Sequence, residues 1–178
     1  TLVQNELRFS DSKNVVAILP GAEAPDEYFI YIAHWDHFGT DPELVAAGED
    51  GIYNGALDNA SGTAAMLELA EAYANLPERP RRSIVFLAVT AEEQGLLGSA
   101  HYAADPVFPL ARTVAGLNMD GLSNFGPTRE LVVQGYGMSE LDMIADAAAA
   151  AQGRRIDPDP EPEKGYYFRS DHFELAKL

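Results

Sequence analysis

Cysteine is absent from the 178 residues. Disulfides, thiolate metal sites and cysteine nucleophiles are therefore excluded, and the redox compartment stays open. Basic residues are scarce: Lys plus Arg is 12 against 28 Asp plus Glu, a net charge of −16. That balance disfavours nucleic-acid backbones and anionic membranes as partners. Solubility is the plain reading of the acidity; the sharper one is that some carboxylates are gathered to hold cations. No apolar run nears the ~20 residues that span a bilayer, and no secretory leader is visible. The chain opens on Thr1 rather than Met and stops at Leu178 just as "SDHFELAKL" begins a helix. A fragment or processed piece is expected, so a missing leader says nothing about export. There is also no H-E-x-x-H helix, no G-x-S-x-G elbow and no Gly-rich phosphate loop ending in Lys-Ser/Thr.

What is present is an alternation of strand-like and helix-like stretches. "NVVAILP" (Asn14 to Pro20) and "YFIYIAH" (Tyr28 to His34) read as strands joined by a turn-rich link. A loop is expected from Phe38 to Leu57. The stretch from Asn59 to Leu76 has a polar start, strong helix formers and Pro77 as a stop, so it reads as a helix. Small apolar residues on most of its sides suggest burial against a sheet. "SIVFLAV" (Ser83 to Val89) is the near-continuous apolar run of a central strand covered on both faces. A short helix from Leu96 to Ala104, strands at Thr113 to Met119 and Glu130 to Gly135, and an amphipathic helix from Ser139 to Gly153 follow. The Pro-rich stretch from Ile156 to Gly165 must be extended or loop. The expectation is one α/β domain over residues 1–178, a three-layer sandwich with a mixed, mostly parallel central sheet, truncated at its C-terminus.

Chemistry collects at strand ends. Tyr28 to Ala33 runs into His34 and Asp36, Ser83 to Val89 into Glu92 and Glu93, and Thr113 to Met119 into Asp120. In open α/β sheets the ligand crevice lies off the carboxyl ends of the strands, so the fold gathers these groups at one rim. "NGALDNASG" adds Asp58, and "YYFRSDHF" adds Asp171 and His172. Each has an ordinary reading: a structural histidine, a wet glutamate pair, an Asp that starts a helix. Together those readings strain, because carboxylates converging on one rim repel one another and burial raises the cost. Cations remove that conflict. Imidazoles and carboxylates without thiols suit a borderline ion such as zinc better than calcium, which takes oxygen only. His37 and His101 read as solvated or structural. "NAS" at Asn59 to Ser61 fits a glycosylation sequon, but that Asn should sit beside the site, so the match is read as false.

His34-Trp35-Asp36, Asp58-Asn59-Ala60-Ser61-Gly62, Glu92-Glu93, Asp120 and Ser170-Asp171-His172, in this order, resemble the co-catalytic zinc aminopeptidases of the bacterial leucyl aminopeptidase and aminopeptidase Y type. Glutamate carboxypeptidase and the glutaminyl cyclases are relatives of that family. The resemblance runs from about Asn14 to the end. It implies two zinc ions bridged by Asp58, with His34 and Asp120 completing one ion's protein ligands and Glu93 and His172 the other's. Glu92 would be the general acid/base. Asp36 would accept a hydrogen bond from the His34 ring and fix its tautomer. Asp171 would serve His172 or the local backbone. The peptide after the bridging Asp is often cis in the family, and Asn59 in place of a second Asp is expected to matter little. The two zincs would lower the pKa of a shared water whose proton Glu92 takes.

The implied partners are peptides with a free N-terminus, and the implied location is secreted or periplasmic. Tyr166, Tyr167 and Phe168 are candidates for lining the pocket of the first side chain, and the two tyrosines for assisting the oxyanion; core packing is an equal reading. The alternatives are a single-zinc glutaminyl cyclase, a carboxypeptidase for which Arg169 is the only nearby cation, and a non-catalytic peptidase-like binding domain. The family continues past this C-terminus with another strand and helix.

Overall fold

Near-continuous apolar runs build the two central strands, whose side chains pack on both faces of the sheet. In the computed structural model, which describes residues 9–123 and 126–178, four strands lie in the order β1 (Val15–Leu19), β5 (Arg82–Val89), β2 (Ala24–His34), β6 (Thr113–Asn118). β5 and β6 run parallel to β2 on either side, and β1 closes one edge antiparallel to β5. The expected mixed, mostly parallel sheet is what forms. The first eight residues of the expected domain lie outside the described residues.

Parity along the two central strands sorts the core into two layers. Ile30 and Ile32 of β2 and Val85, Leu87 and Val89 of β5 face one way, where Tyr102 of α3 (Leu97–Ala104) and Leu175 of α5 (His172–Ala176) cover them. Ala33, Ile84 and Phe86 face the other way, against Met66, Leu69 and Tyr73 of α2 (Ser61–Ala74). The period of two follows from the pleat. Each fully buried Ile, Val or Leu contributes about 1.5–3 kcal/mol by leaving water.

Three elements differ from expectation. α2 buries only Gly62 and Met66 completely, and Leu67 is 65% exposed. The helix meets the sheet on one side only, so its small apolar residues mark low bulk rather than all-round burial. The loop from Phe38 to Leu57 holds a two-stranded hairpin, β3 (Gly39–Thr40) with β4 (Ile52–Tyr53), around a short helix α1 (Pro42–Ala46). Asp41 caps α1: its Oδ1 accepts from Glu43 N (2.9 Å) and Leu44 N (3.2 Å), and Pro42 follows at the first turn. Finally, β7 (Glu130–Val132) pairs in parallel with β8 (Arg155–Asp157) in a separate two-stranded sheet, with α4 (Leu141–Ala151) between them in sequence. α4 stops where expected, with Gly153 in the left-handed region at φ +68°. Among the described residues no helix is long and apolar enough to cross a membrane.

Gly62 lets the first turn of α2 approach the end of β6. A Cβ there would fall well inside contact distance of the Met119 carbonyl oxygen and of Asn59 Oδ1. Gly62→Ala is therefore expected to lower the unfolding free energy by about 1–3 kcal/mol. Leu67→Ala on the exposed side of the same helix should change it by less than about 0.5 kcal/mol. Urea denaturation of the two variants checks the contrast.

Candidate metal centre

Strand ends and the loops behind them deliver the side chains. β2 ends on His34, which continues the parity of Ile30 and Ile32 and is completely buried. The Met119 amide donates to Ile32 O (2.9 Å), so β6 stays in register with β2 until Asp120 leaves it. Asp58 precedes α2 in an irregular turn, Ala56–Ala60, and the Asp58–Asn59 peptide is cis. Beyond β5 the chain turns sharply: Ala91 adopts φ +54° immediately before Glu92, and Leu96 φ +61° immediately before α3. Left-handed conformations cost a non-glycine residue on the order of 1–2 kcal/mol. The one at Ala91 turns the chain just before Glu92 and Glu93, and the one at Leu96 turns it into α3.

His34 sits at the focus. Its Nε2 lies 3.0 Å from Asp58 Oδ1 and 3.4 Å from Asp120 Oδ1. Neither oxygen is in line for a hydrogen bond, so Nε2 is buried without a partner. On the other side of the ring, Nδ1 lies 3.1 Å from the main-chain oxygen of Asp36 and 3.8 Å from its carboxylate. A carbonyl only accepts, so Nδ1 carries the proton. The expectation that the Asp36 carboxylate takes this bond is corrected: the backbone carbonyl does. The carboxylate instead accepts from the amides of Glu92 (3.1 Å) and Glu93 (3.4 Å), fixing the loop that carries both glutamates.

A second group forms beside the first. His37 Nδ1 lies 2.6 Å from Glu93 Oε1. One ligand atom from each of His37, Asp58 and Glu93 falls within 4.8 Å of the others, as does one from each of His34, Asp58 and Asp120. Asp58 thus belongs to both groups. His37, read from sequence as solvated or structural, is drawn into this cluster, while His101 is exposed on α3. His172 lies in neither group. Its ring rests on Tyr167, with centroids 4.7 Å apart, and its Nε2 is buried without a partner. Burial holds its pKa below the ordinary value, against the opposing pull of the Tyr167 main chain and Asp120. Asp171 serves neither His172 nor the backbone: Ser99 of α3 donates to its Oδ1 (2.7 Å), and Oδ2 has no partner.

Asn59 does more than expected of a stand-in for Asp. It is 2% exposed, donates from Nδ2 to Met119 O (2.9 Å), and accepts at Oδ1 from Gly62 N (2.9 Å) and Gly121 N (3.3 Å). One amide therefore ties the turn of Asp58 to the segment of Asp120. The chain also contains a cleft of about 270 Å³ whose lining includes Gly135, Tyr136, Met138, Tyr166, Tyr167 and Phe168. Tyr167 packs edge-on against Phe168 and Phe173, and Tyr166 receives the cations of Lys164 and Arg169 on its face.

The electrostatics favour a cation. Burial alone would lower the His34 pKa, but Asp120 first, then Glu92 and Asp171, raise it to about 9. Whatever field draws a proton onto that ring also draws a divalent ion. Nitrogen and oxygen donors without thiols, converging on an orphaned imidazole nitrogen, fit zinc.

The sequence matches the profile of Peptidase family M28 over residues 14–178. The chain belongs to peptidase family M28. Among curated relatives, the M28 chain is 38% identical over 123 residues to the aminopeptidase NAALADL1 of Mus musculus, covering 66% of this chain and 15% of that protein. It is 38% identical over 110 residues to a probable zinc metalloprotease of Pyrenophora teres f. teres, covering 62% and 22%. The zinc aminopeptidase of Bacillus subtilis has a similar structure, with a TM-score of 0.69 and 26% identity, covering 92% of this chain and 37% of that one. The glutaminyl cyclase of Porphyromonas gingivalis shares the fold at a TM-score of 0.65 and 20% identity, with 92% and 59% covered. The M28 chain thus spans well under half the length of the curated relatives it matches.

The Asn59 interactions can be tested directly. A carboxylate cannot donate to Met119 O, so Asn59→Asp leaves that buried carbonyl facing an oxygen. The variant is expected to lose about 1–3 kcal/mol of unfolding free energy at neutral pH, read as a lower urea midpoint at unchanged slope.

Proposed function

We propose that this chain carries the catalytic centre of a zinc-dependent aminopeptidase that works with two ions. The observation that carries the reading is the position of Asp58, within reach of His34 and Asp120 on one side and of Glu93 on the other, as a bridging carboxylate requires. His34 and Asp120 would hold one ion with Asp58. Glu93 would hold the other with Asp58, and His172 is the remaining candidate, a buried imidazole whose Nε2 lacks a partner. Bound zinc supplies Lewis acidity at a scissile carbonyl and makes water a stronger acid.

The chain's own residues supply the rest. Glu92 takes the proton of the attacking water and delivers it to the leaving amine. Burial lifts its pKa to about 7; His34 offsets part of the rise, and Asp171, Asp120 and Glu93 add to it. A carboxyl group in that range can both accept and donate a proton near neutrality. Asp36 holds Glu92 in place through the main-chain amide. The acidic rim attracts a free N-terminal ammonium, which favours exopeptidase action from that end. A C-terminal carboxylate finds little to bind: Arg169 lies against the Tyr166 ring, 5.8 Å from its centre.

Glu92→Gln is expected to retain two zinc ions per chain by elemental analysis while hydrolysis of amino-acid anilides falls by about 10²–10⁴ in kcat. Wild-type turnover in that variant refutes the role of Glu92, and fewer than two ions per chain in the unaltered protein refutes the dinuclear reading. Separately, a chelator should abolish hydrolysis, and added zinc should restore it.

A further inference from the structure

We propose that His37 is a positioning residue that holds Glu93 in the orientation needed at the second ion; this rests on the two-ion reading above. The Glu93 carboxylate has little solvent around it, with 10% side-chain exposure, and one oxygen is 2.6 Å from His37 Nδ1. Glu93 belongs to the donor group that includes Asp58. An unrestrained carboxylate beside other carboxylates swings away from them. The imidazole N–H opposes that swing at one oxygen and leaves the other free as a donor.

The imidazole is itself held. Phe38 lies against it with ring centroids 4.9 Å apart, and Tyr53 of β4 meets Phe38 edge-on at 5.8 Å. On another side, a Cβ on Gly55 would come within 3.0 Å of His37 Cβ and Cγ. Gly55 sits at φ +65°, a conformation glycine adopts freely. The β3–β4 hairpin and the Gly55 turn thus confine one histidine whose hydrogen bond ends on Glu93.

Hydrogen bonding separates this role from ligation. Two ligands of one tetrahedral zinc lie about 3.3 Å apart when their bonds are near 2.0–2.1 Å. The 2.6 Å between Nδ1 and Oε1 is the length of a charge-assisted hydrogen bond. An Nδ1 that donates this hydrogen bond cannot also bind metal through the same atom.

Stepwise titration of the metal-free intact protein with zinc chloride, in the unaltered form and as His37→Ala and His37→Asn, tests this. Asn places an amide N–H close to where Nδ1–H stands. His37→Ala is expected to weaken one of the two zinc-binding steps by about 10–100-fold and leave the other unchanged. His37→Asn should restore the weakened step to within about threefold, and the metal-free unfolding midpoints of all three should agree. Cobalt in place of zinc should show an altered visible absorption only for the second equivalent in His37→Ala. Equal zinc affinities in the unaltered protein and His37→Ala overturn the inference while the two-ion reading stands. So does an Asn variant as weak as Ala, which indicates direct ligation. An unaltered protein that binds fewer than two ions overturns both.

Discussion

Charge repulsion at one rim of the sheet is the constraint that the surrounding structure has to contain. Asp58, Asp120, Glu92, Glu93 and the buried Asp171 are close enough to influence one another or His34. In water such groups would separate; here the strand ends and their loops forbid it. Proton affinities at this rim are high: attraction to carboxylates, Asp120 first, raises His34 to about 9, and Glu92 is raised to about 7 and Asp171 to about 6. Burial is the first cause for both acids. The same neighbours that make a proton welcome make a divalent cation more so, since it carries twice the charge and takes several donors at once.

Hydrogen bonds with uncharged partners hold this arrangement together. Asp36 spends its carboxylate on the amides of Glu92 and Glu93 and its carbonyl on the His34 ring. Two segments, the end of β2 and the turn beyond β5, are thereby set by one residue. Asn59 does the same for the turn of Asp58, the start of α2 and the end of β6. Ser99 anchors Asp171 and so links α3 to the start of α5, beside His172. None of these supports adds positive charge to the rim.

The central strand was readable because burial on both faces makes it a near-continuous apolar run, and the site because strand ends carried ionisable residues where apolar runs stopped. His34, Glu92, Glu93 and Asp120 each follow a strand that the pattern marks, and Asp58 precedes a helix with a clear start. Other features depend on contacts between distant segments. Nothing local in "HWDHFG" tells that Asp36 faces amides near position 92, or that His37 meets Glu93. The amide of Asn59 looks interchangeable with a carboxylate until its partner proves to be a carbonyl. The pairing of β7 with β8 outside the main sheet is likewise a tertiary outcome. The helix α1 lies where a loop was expected: Asp41-Pro42-Glu43 is a helix start, but the glycines around it masked the signal.

The difference between His37 and His172 shows how far sequence order alone can assign roles. Sequence resemblance gives His172 to the second ion, and geometry places His37 beside Glu93 and Asp58 instead. The two are compatible if the histidines do different work. A hydrogen-bonded imidazole whose Nδ1 is committed to Glu93 orients a ligand; an imidazole with an unpartnered buried nitrogen, as His172 has, is costly unless something binds it. The orphaned nitrogens of His34 and His172 therefore point the same way. Metal bound through both nitrogens would favour the folded protein by mass action.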